Sequence, residues 1–209
     1  MPHAFDKDFW ERHWQQVRAA GPGSMGGNPP NPYLARETGG LTPGTALDAG
    51  CGGGAEAIWL ASRGWHVTAA DISSEALARA AERAATSGAA ERLQWVEADL
   101  GIWSPAAQFD LVMTHYAHPA MPQLEFYDRI ADWVAPGGTL LIVGHLDTPD
   151  STGHGHRPPA EASATSGAVT ARMDAVEWEI VTAEEHLRTG HGGRAVPLHD
   201  VVVRAVRRR

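Results

Sequence analysis

The stretch ALDAGCGGG, residues 46–54, decides the fold. It begins as the end of an apolar strand and then places four glycines within five positions. An alanine-rich helical segment, residues 55–63, follows at once. Glycines permit positive φ and a close approach of a ligand to the main chain. A helix start offers free N–H groups and the positive end of the helix dipole to an anionic group. This strand–loop–helix element therefore predicts a site for a nucleotide-like cofactor.

A second predicted strand, residues 66–70, ends at Asp71. Asp71 lies about 20 residues beyond Gly50, the distance at which a dinucleotide fold places the carboxylate that binds its ribose. The spacing Gly50-x-Gly52-x-x-Ala55 also fits the dinucleotide fingerprint G-x-G-x-x-G/A. An NAD-dependent oxidoreductase is therefore one alternative.

Two further acids favour a cofactor other than NAD. Asp48 stands two residues before the first glycine, where a carboxylate would face a pyrophosphate unfavourably. It would suit a cationic group instead, such as the amino group of a bound amino acid. A third strand, residues 93–97, leads to Asp99 and Leu100, a polar stop suited to an adenine amino group.

Strands and helices alternate along the rest of the chain, which predicts a parallel sheet covered by helices on both faces. A first helix over residues 5–20 places Phe9, Trp10, His13, Trp14 and Val17 on one face. The last helix of the alternating region, residues 122–134, carries the apolar stripe Leu124, Tyr127, Ile130, Ala131 and Val134. The remaining predicted strands are 109–114, 139–144, 177–183 and 199–206, and the other predicted helices are 33–39 and 74–86.

With these motifs in this order, the chain resembles the class I S-adenosylmethionine-dependent methyltransferases over residues 33–145. The matching segments are LDAGCGGG (47–54), Asp71, EADL (97–100), FDLVMTHY (109–116) and APGGTLLIV (135–143). Within the family, the N-terminal helix and residues 50–73 are loosely similar to the tellurite-resistance and thiopurine types. The resemblance implies an α/β, Rossmann-like, doubly wound and mostly parallel seven-stranded sheet with a C-terminal antiparallel hairpin.

The expected organisation is a cap followed by one catalytic domain. Residues 1–32 form the cap, a helix and then a Gly/Pro-rich linker. Residues 33–209 form the methyltransferase domain. Within it, residues 146–168 are rich in Pro, Gly, Ser, Thr and His without any period, which predicts a flexible surface loop.

The resemblance also assigns roles to individual residues around S-adenosyl-L-methionine. Asp71 would hold the ribose. The other expected cofactor contacts are Asp48, Gly50, Cys51, Gly52 and Gly54 around the methionine part, Ile72, Asp99 and Leu100 around the adenine, and His115. Trp10, Trp14, Tyr33 and Tyr116 are the expected substrate contacts, although the two tryptophans could equally pin the first helix to the sheet.

A general base should contribute less than alignment does, since methyl transfer from a sulfonium depends mainly on the placement of donor and acceptor. His118 and His115 are the candidates, because a neutral imidazole can take a proton near pH 7. The alternative for His115 is a wall or contact of the cofactor pocket. A thiol acceptor would need no base, because part of it is already thiolate.

Composition narrows the class of protein. The chain has 209 residues, a net charge of −8 and 43% hydrophobic residues. This acidity disfavours sequence-independent nucleic-acid binding, and we also expect neither a signal peptide nor a membrane span. The single cysteine permits no intrachain disulfide, which suits a cytoplasmic location. The eleven histidines lack metal-site spacing, so no metal is expected.

The sequence therefore predicts methyl transfer from S-adenosylmethionine to an O, S or N atom of a small molecule by in-line displacement, in a monomer or homodimer. The short chain favours small acceptors over proteins or nucleic acids. The alternatives are a non-catalytic, S-adenosylmethionine-binding regulatory protein and the NAD-dependent oxidoreductase.

Overall fold

The computed structural model describes residues 5–19, 29–146, 162–189 and 197–209. Its strands are β1 (Thr45–Ala49), β2 (His66–Asp71), β3 (Leu93–Glu97), β4 (Phe109–His115), β5 (Val134–His145), β6 (Trp178–Thr189) and β7 (Pro197–Arg207). Its α-helices are α1 (Lys7–Ala19), α2 (Pro32–Thr38), α3 (Ala55–Ala61), α4 (Ser74–Ala85), α5 (Gln123–Ala131) and α6 (Ser166–Thr170).

All seven strands form one sheet in the order β3-β2-β1-β4-β5-β7-β6. The pairs among β1 to β5 are parallel. β7 lies antiparallel between β5 and β6. The predicted fold class, including the C-terminal antiparallel hairpin, is confirmed. The carboxyl ends of β1, β2 and β4 consequently meet at one edge of the sheet, where such folds bind ligands.

The central strands are buried on both faces, as parallel strands between two helical layers must be. Leu47, Val112 and Ile142 belong to one apolar cluster, which includes Phe126 of α5. Their chain neighbours Ala46, Leu111 and Leu141 belong to a second cluster on the opposite face, which includes Leu60 of α3. Because side chains alternate along a strand, this single run of residues supplies both cores.

The structure corrects the predicted end of the last helix. α5 ends at Ala131, and Val134 is the first residue of β5, paired with Phe109. Pro136 explains the change, because the residue before a proline avoids helical backbone and the chain turns extended there. The predicted stripe also omitted Phe126, which is fully buried.

The predicted loop over 146–168 is wrong at its end. Ser163 forms a parallel bridge with His145, and α6 begins at Ser166. Thr165 caps α6, since its side chain accepts a hydrogen bond from Ala168 N. The rest of that prediction, residues 147–161 with His154 and His156, lies outside the described residues, as do 20–28 of the predicted linker.

Replacing Gly50 with alanine tests whether the glycine loop is as tightly packed as the structure shows. Gly50 has φ 83°, and an added Cβ would lie 2.2 Å from the Cβ of Ala117. We expect Gly50→Ala to lower the free energy of unfolding by about 2–5 kcal/mol, combining left-handed strain with overpacking. Urea denaturation measures the loss.

Gly88→Ala is the matched control for this prediction. Gly88 also has positive φ, 71°, but an added Cβ meets nothing within 4 Å. We expect this variant to lose about 1–2 kcal/mol from backbone strain alone. Equal losses in the two variants would contradict the proposed contact between the Gly50 position and Ala117.

Candidate functional site

The glycine loop is fastened to the end of β2 by main-chain hydrogen bonds. Gly50 N and Cys51 N both donate to Ala70 O, at 2.8 and 3.0 Å. Gly50, Gly52 and Gly54 all have positive φ, at 83°, 48° and 72°. The loop therefore turns sharply directly beyond β1 and brings its backbone to the carboxyl edge of the sheet. Burial raises the pKa of the Cys51 thiol, which keeps it neutral inside this loop.

Asp71 joins this loop to the start of α4. Its Oδ2 accepts from Gly52 N at 2.8 Å, and its Oδ1 accepts from Ser73 N at 2.9 Å. Burial raises its pKa to about 6, against the opposing effect of these hydrogen bonds. Each carboxylate oxygen can accept more than one hydrogen bond. Asp71 thus organises the backbone of the site and keeps acceptor capacity for a ligand.

Asp48 is a buried acid, 1% exposed, at the end of β1. The N–H of Ala57 donates to its carboxylate, but its Oδ2 is buried without a hydrogen-bond partner. Burial, followed by the charges of Glu56 and Asp71, raises the pKa of Asp48 well above its ordinary value. A cationic group placed against Oδ2 would offset this cost and favour the charged form.

His115 presents a second set of buried polar atoms at the same edge. Both of its ring nitrogens are buried without a partner. Burial lowers the pKa of His115, opposed by the charge of Glu56, so the ring is neutral near pH 7. In the described chain, Arg204 Nε is the one other buried side-chain nitrogen or oxygen that lacks a partner. The unsatisfied polar atoms therefore concentrate at Asp48 and His115, as expected of a ligand site.

The three predicted adenine contacts follow β2 and β3. Asp99 opens a tight turn, in which its Oδ1 accepts from Gly101 N at 2.8 Å. Leu100 is buried beside the glycine loop, with Cδ1 3.9 Å from the position of a Cβ at Gly50. Ile72 is half-buried directly beyond Asp71. The structure thus places these residues along the same edge as the glycine loop.

Helix α1 lies across this edge. The Trp14 ring comes within 2.8 Å of the position that a Cβ on Gly52 would occupy. Trp10 Nε1 donates to His118 O at 3.2 Å. The two tryptophans predicted as substrate contacts therefore cover the glycine loop and the segment that follows β4.

Glu11 fixes α1 in this position, and sequence reasoning missed it. Its carboxylate accepts from Ser73 Oγ, Ser74 N and Ser74 Oγ at 3.0, 2.8 and 2.8 Å. It thereby caps the N-terminus of α4 from another helix. Burial acts to raise the pKa of Glu11, but these hydrogen bonds outweigh it and leave the pKa lowered. No spacing in the sequence links residues 11 and 73, since the contact is purely tertiary.

The other end of the site is lined by rings. His118 is buried, and its Nδ1 lies 3.2 Å from Gln123 Oε1. Burial lowers the pKa of His118, opposed by the Gln123 hydrogen bond. The His118 and His145 rings stack with centroids 5.4 Å apart, and Tyr116 lies 4.5 Å from His145. The His145 ring thus contacts both His118 and Tyr116, although the sequence analysis gave His145 no role.

Tyr33 and Tyr116 meet at another residue absent from the predicted set. Their hydroxyls donate to the two carboxylate oxygens of Asp200, at 3.3 and 2.9 Å respectively. Asp200 belongs to β7, which brings it to the end of β4 because β7 runs antiparallel. A motif search over residues 33–145 could not include it.

Within the residues that the structure describes, no group of three His, Cys, Asp or Glu side chains could hold a metal ion. No described helix has the length and apolar character needed to cross a lipid bilayer.

Similarity to known proteins agrees with this geometry. Residues 46–138 match the family model described as a methyltransferase domain. A probable thiol methyltransferase 2 from Arabidopsis thaliana is 32% identical over 140 residues, which cover 64% of this chain and 60% of that protein. The chain thus spans less than two thirds of that relative's length.

Two solved structures share the fold. TehB from Haemophilus influenzae aligns with a TM-score of 0.69 and 16% identity, over 86% of this chain and 62% of that one. The N-methyltransferase NodS from Bradyrhizobium japonicum WM9, in complex with S-adenosyl-L-homocysteine, aligns with a TM-score of 0.68 and 19% identity, over 95% and 98%.

Replacing Glu11 with glutamine tests its role as a cap supplied from another helix. The amide keeps one acceptor oxygen but loses the charge that faces the N-terminus of α4, so we expect a loss of about 1 kcal/mol at pH 7. Because the pKa of Glu11 is lowered by folding, its contribution is present above the unfolded pKa and is lost as the pH falls through the folded pKa. Urea denaturation at pH 7 and pH 3 measures both effects.

Glu82→Gln is the control for this prediction. Glu82 is an exposed acid on α4 that pairs with Arg18 of α1 at 3.6 Å. We expect this variant to change the free energy of unfolding by less than about 0.5 kcal/mol, as exposed ion pairs usually do. If Glu11→Gln changed the free energy of unfolding equally little, Glu11 would not hold α1 in place.

Proposed function

We propose that this chain, whose residues 46–138 match a methyltransferase domain, is a class I enzyme that transfers a methyl group from S-adenosylmethionine to a small-molecule nucleophile. The observation that carries the proposal is that Asp48 Oδ2 and both ring nitrogens of His115 are buried beside the glycine loop without hydrogen-bond partners. A polar and cationic ligand would satisfy both.

The residues present fit S-adenosylmethionine part by part. When bound, this cofactor supplies a methyl group already activated by its sulfonium charge. Asp48 would hold the ammonium group of the methionine part, and the glycine loop from Gly50 to Gly54 lets the backbone approach it. Asp71 would accept the ribose hydroxyls with the lone pairs that its backbone hydrogen bonds leave. Ile72, Asp99 and Leu100 would frame the adenine.

The NAD alternative fits the same edge poorly. Burial raises the pKa values of both Asp48 and Asp71, and the charges of Glu56 and Asp71 raise the pKa of Asp48 further. A pyrophosphate would add negative charge to this buried acidic group, at a further electrostatic cost. A non-catalytic S-adenosylmethionine-binding protein would share the cofactor site, so only turnover separates it from an enzyme.

A thiol is the acceptor class that we favour. The Arabidopsis thaliana relative is named as a thiol methyltransferase. His118 is neutral near pH 7, because burial lowers its pKa, and a neutral imidazole suits either a weak base or a passive wall. A thiolate needs no strong base, whereas a phenol or an amine would need its proton removed. Trp10, Trp14, Tyr33 and Tyr116 would surround this acceptor.

Calorimetry with S-adenosylhomocysteine and with NAD, followed by a turnover assay, tests the function. We expect binding of S-adenosylhomocysteine alone, and Asp48→Asn should weaken it at least about tenfold by removing a charge-assisted contact. Binding of NAD in its place would mean that the glycine loop serves the other cofactor class. Asp110→Asn is the control variant. Asp110 is exposed near the start of β4, at the opposite end of that strand from His115, and accepts a hydrogen bond from Thr45 N.

Turnover is measured with a nitro-substituted thiophenol, whose coloured thiolate is consumed on S-methylation, beside a phenol and an amine. We expect consumption of the thiol that depends on S-adenosylmethionine. We expect His118→Ala to slow phenol methylation, by up to about 10⁴-fold if it is the base, and thiol methylation far less. Binding of S-adenosylhomocysteine without turnover of any acceptor would favour the non-catalytic alternative.

The cofactor affinity should also depend on pH through Asp71. The folded pKa of Asp71 is about 6, above its ordinary 3.8, so a proton is retained between these values in the folded state only. Stability contributed by Asp71 therefore falls as the pH rises through this window, while its ability to accept ribose hydrogen bonds rises. We expect the Kd for S-adenosylhomocysteine to be about tenfold higher at pH 5 than at pH 7, because only about a tenth of Asp71 is ionised at pH 5.

Asp71→Asn is the control for this pH dependence. The amide does not titrate, so the change in Kd between pH 5 and pH 7 should shrink, and any remainder belongs to other groups such as Asp48. An identical pH dependence in the wild-type protein and in Asp71→Asn would exclude Asp71 as the titrating contact.

A further inference from the structure

Asp200 is a fully buried acid at the ligand-binding edge to which neither the motifs nor the proposed function assigns a role. Its Oδ1 accepts the Tyr116 hydroxyl at 2.9 Å, and its Oδ2 accepts the Tyr33 hydroxyl at 3.3 Å. These partners come from the segment after β4 and from α2. Burying a carboxylate among hydroxyl groups is costly compared with an apolar contact, so its presence here needs a reason.

Asn31 extends this group into a network. Its Nδ2 donates to the Tyr116 hydroxyl at 3.2 Å, while its Oδ1 accepts from Tyr33 N at 3.0 Å. The Tyr116 hydroxyl thus donates to Asp200 and accepts from Asn31. Because its hydrogen-bonding capacity is largely engaged within the protein, Tyr116 is better suited to hold a position than to transfer a proton.

Tyr116 also has an unusual backbone. It has φ 56°, and it is the one non-glycine residue with positive φ in the part of the chain that the structure describes. This conformation costs a side-chain-bearing residue about 1–2 kcal/mol. Such strain persists where the surroundings fix it, and it concentrates at ligand sites. Here Tyr116 N donates to Val143 O and the hydroxyl is held by Asp200, so both ends of the residue are fixed.

The fixed ring lies in the wall that leads to His118. The ring centroids of Tyr116 and His145 are 4.5 Å apart, and those of His145 and His118 are 5.4 Å apart. A change in the Tyr116 ring would therefore alter the ring against which His118 packs. The Asp200 carboxylate is connected to this wall through its hydrogen bonds with the hydroxyls of Tyr116 and Tyr33.

We propose that Asp200 is the positioning residue of the acceptor site: by holding the hydroxyls of Tyr116 and Tyr33, it fixes the aromatic wall against which the acceptor is oriented. This inference rests on the proposed methyltransferase function. Asp200 acts through the two tyrosines and touches neither the acceptor nor the cofactor. Its loss should therefore raise the KM for the acceptor and leave cofactor affinity unchanged.

The test uses the full chain, S-adenosylmethionine and the nitro-substituted thiophenol. We expect Asp200→Asn to raise the KM for the thiophenol about ten- to a hundredfold, since it removes buried charge-assisted hydrogen bonds. The Kd for S-adenosylhomocysteine should change less than about twofold. Tyr116→Phe keeps the ring and removes only the hydroxyl, so it tests the same contact if Asp200→Asn folds poorly. In the double variant the two effects should not add, because both remove one interaction.

Glu37→Gln is the matched control. Glu37 is also a buried acid, 4% exposed, but its carboxylate contacts Thr182 and Arg36 rather than a tyrosine hydroxyl. We expect it to lower stability and leave the KM unchanged. An unchanged KM in both Asp200→Asn and Tyr116→Phe would overturn the inference, and so would a loss of cofactor binding in both. Failure of the proposed function would instead appear in the wild-type protein, as absent cofactor binding or absent turnover.

Discussion

The two hydrogen bonds between the Asp71 carboxylate and the backbone N–H groups of Gly52 and Ser73 hold the candidate site together. One bond fixes the glycine loop after β1, and the other fixes the start of α4 after β2. Ser73 and Ser74 at that start then bind Glu11, which places α1 over the glycine loop. The cover of the site therefore depends, through one helix terminus, on the same carboxylate that is expected to bind the ribose.

Electrostatics makes the two halves of the site different. Asp48 and Asp71 are both buried. Burial, followed by the charges of Glu56 and Asp71, raises the pKa of Asp48. An acidic group of this kind is stabilised by a cationic ligand, which favours a cofactor with an ammonium and a sulfonium over one with a pyrophosphate. The half around His118, His145 and Tyr116 is instead lined by aromatic rings, and burial lowers the pKa of His118. Charge thus favours one ligand, and ring packing shapes the space for the other.

A buried acid serves a different purpose in each half. Asp48 keeps a carboxylate oxygen without a protein partner, as a residue that meets a ligand should. Asp200 directs its two oxygens at two tyrosine hydroxyls, as a residue that fixes other side chains should. Similar burial therefore does not imply a similar role, and the hydrogen-bond partners distinguish them.

The sequence by itself predicted the alternating strands and helices, the glycine loop and the acid that ends β2, because these follow from local patterns, while the resemblance to the family supplied the C-terminal hairpin. Glycines directly beyond an apolar strand, an acid ending the next strand and alternating apolar residues each act within a few positions of the chain. The contacts of Glu11 and Asp200 were decided only by the tertiary structure, whereas the end of α5 and the start of α6 have local signals in Pro136 and Thr165. Glu11 meets Ser73, and Asp200 meets Tyr33 and Tyr116, across long sequence separations that no periodicity records. An antiparallel β7 brings Asp200 to the carboxyl ends of the parallel strands, and strand direction is a property of the assembled sheet rather than of any local segment.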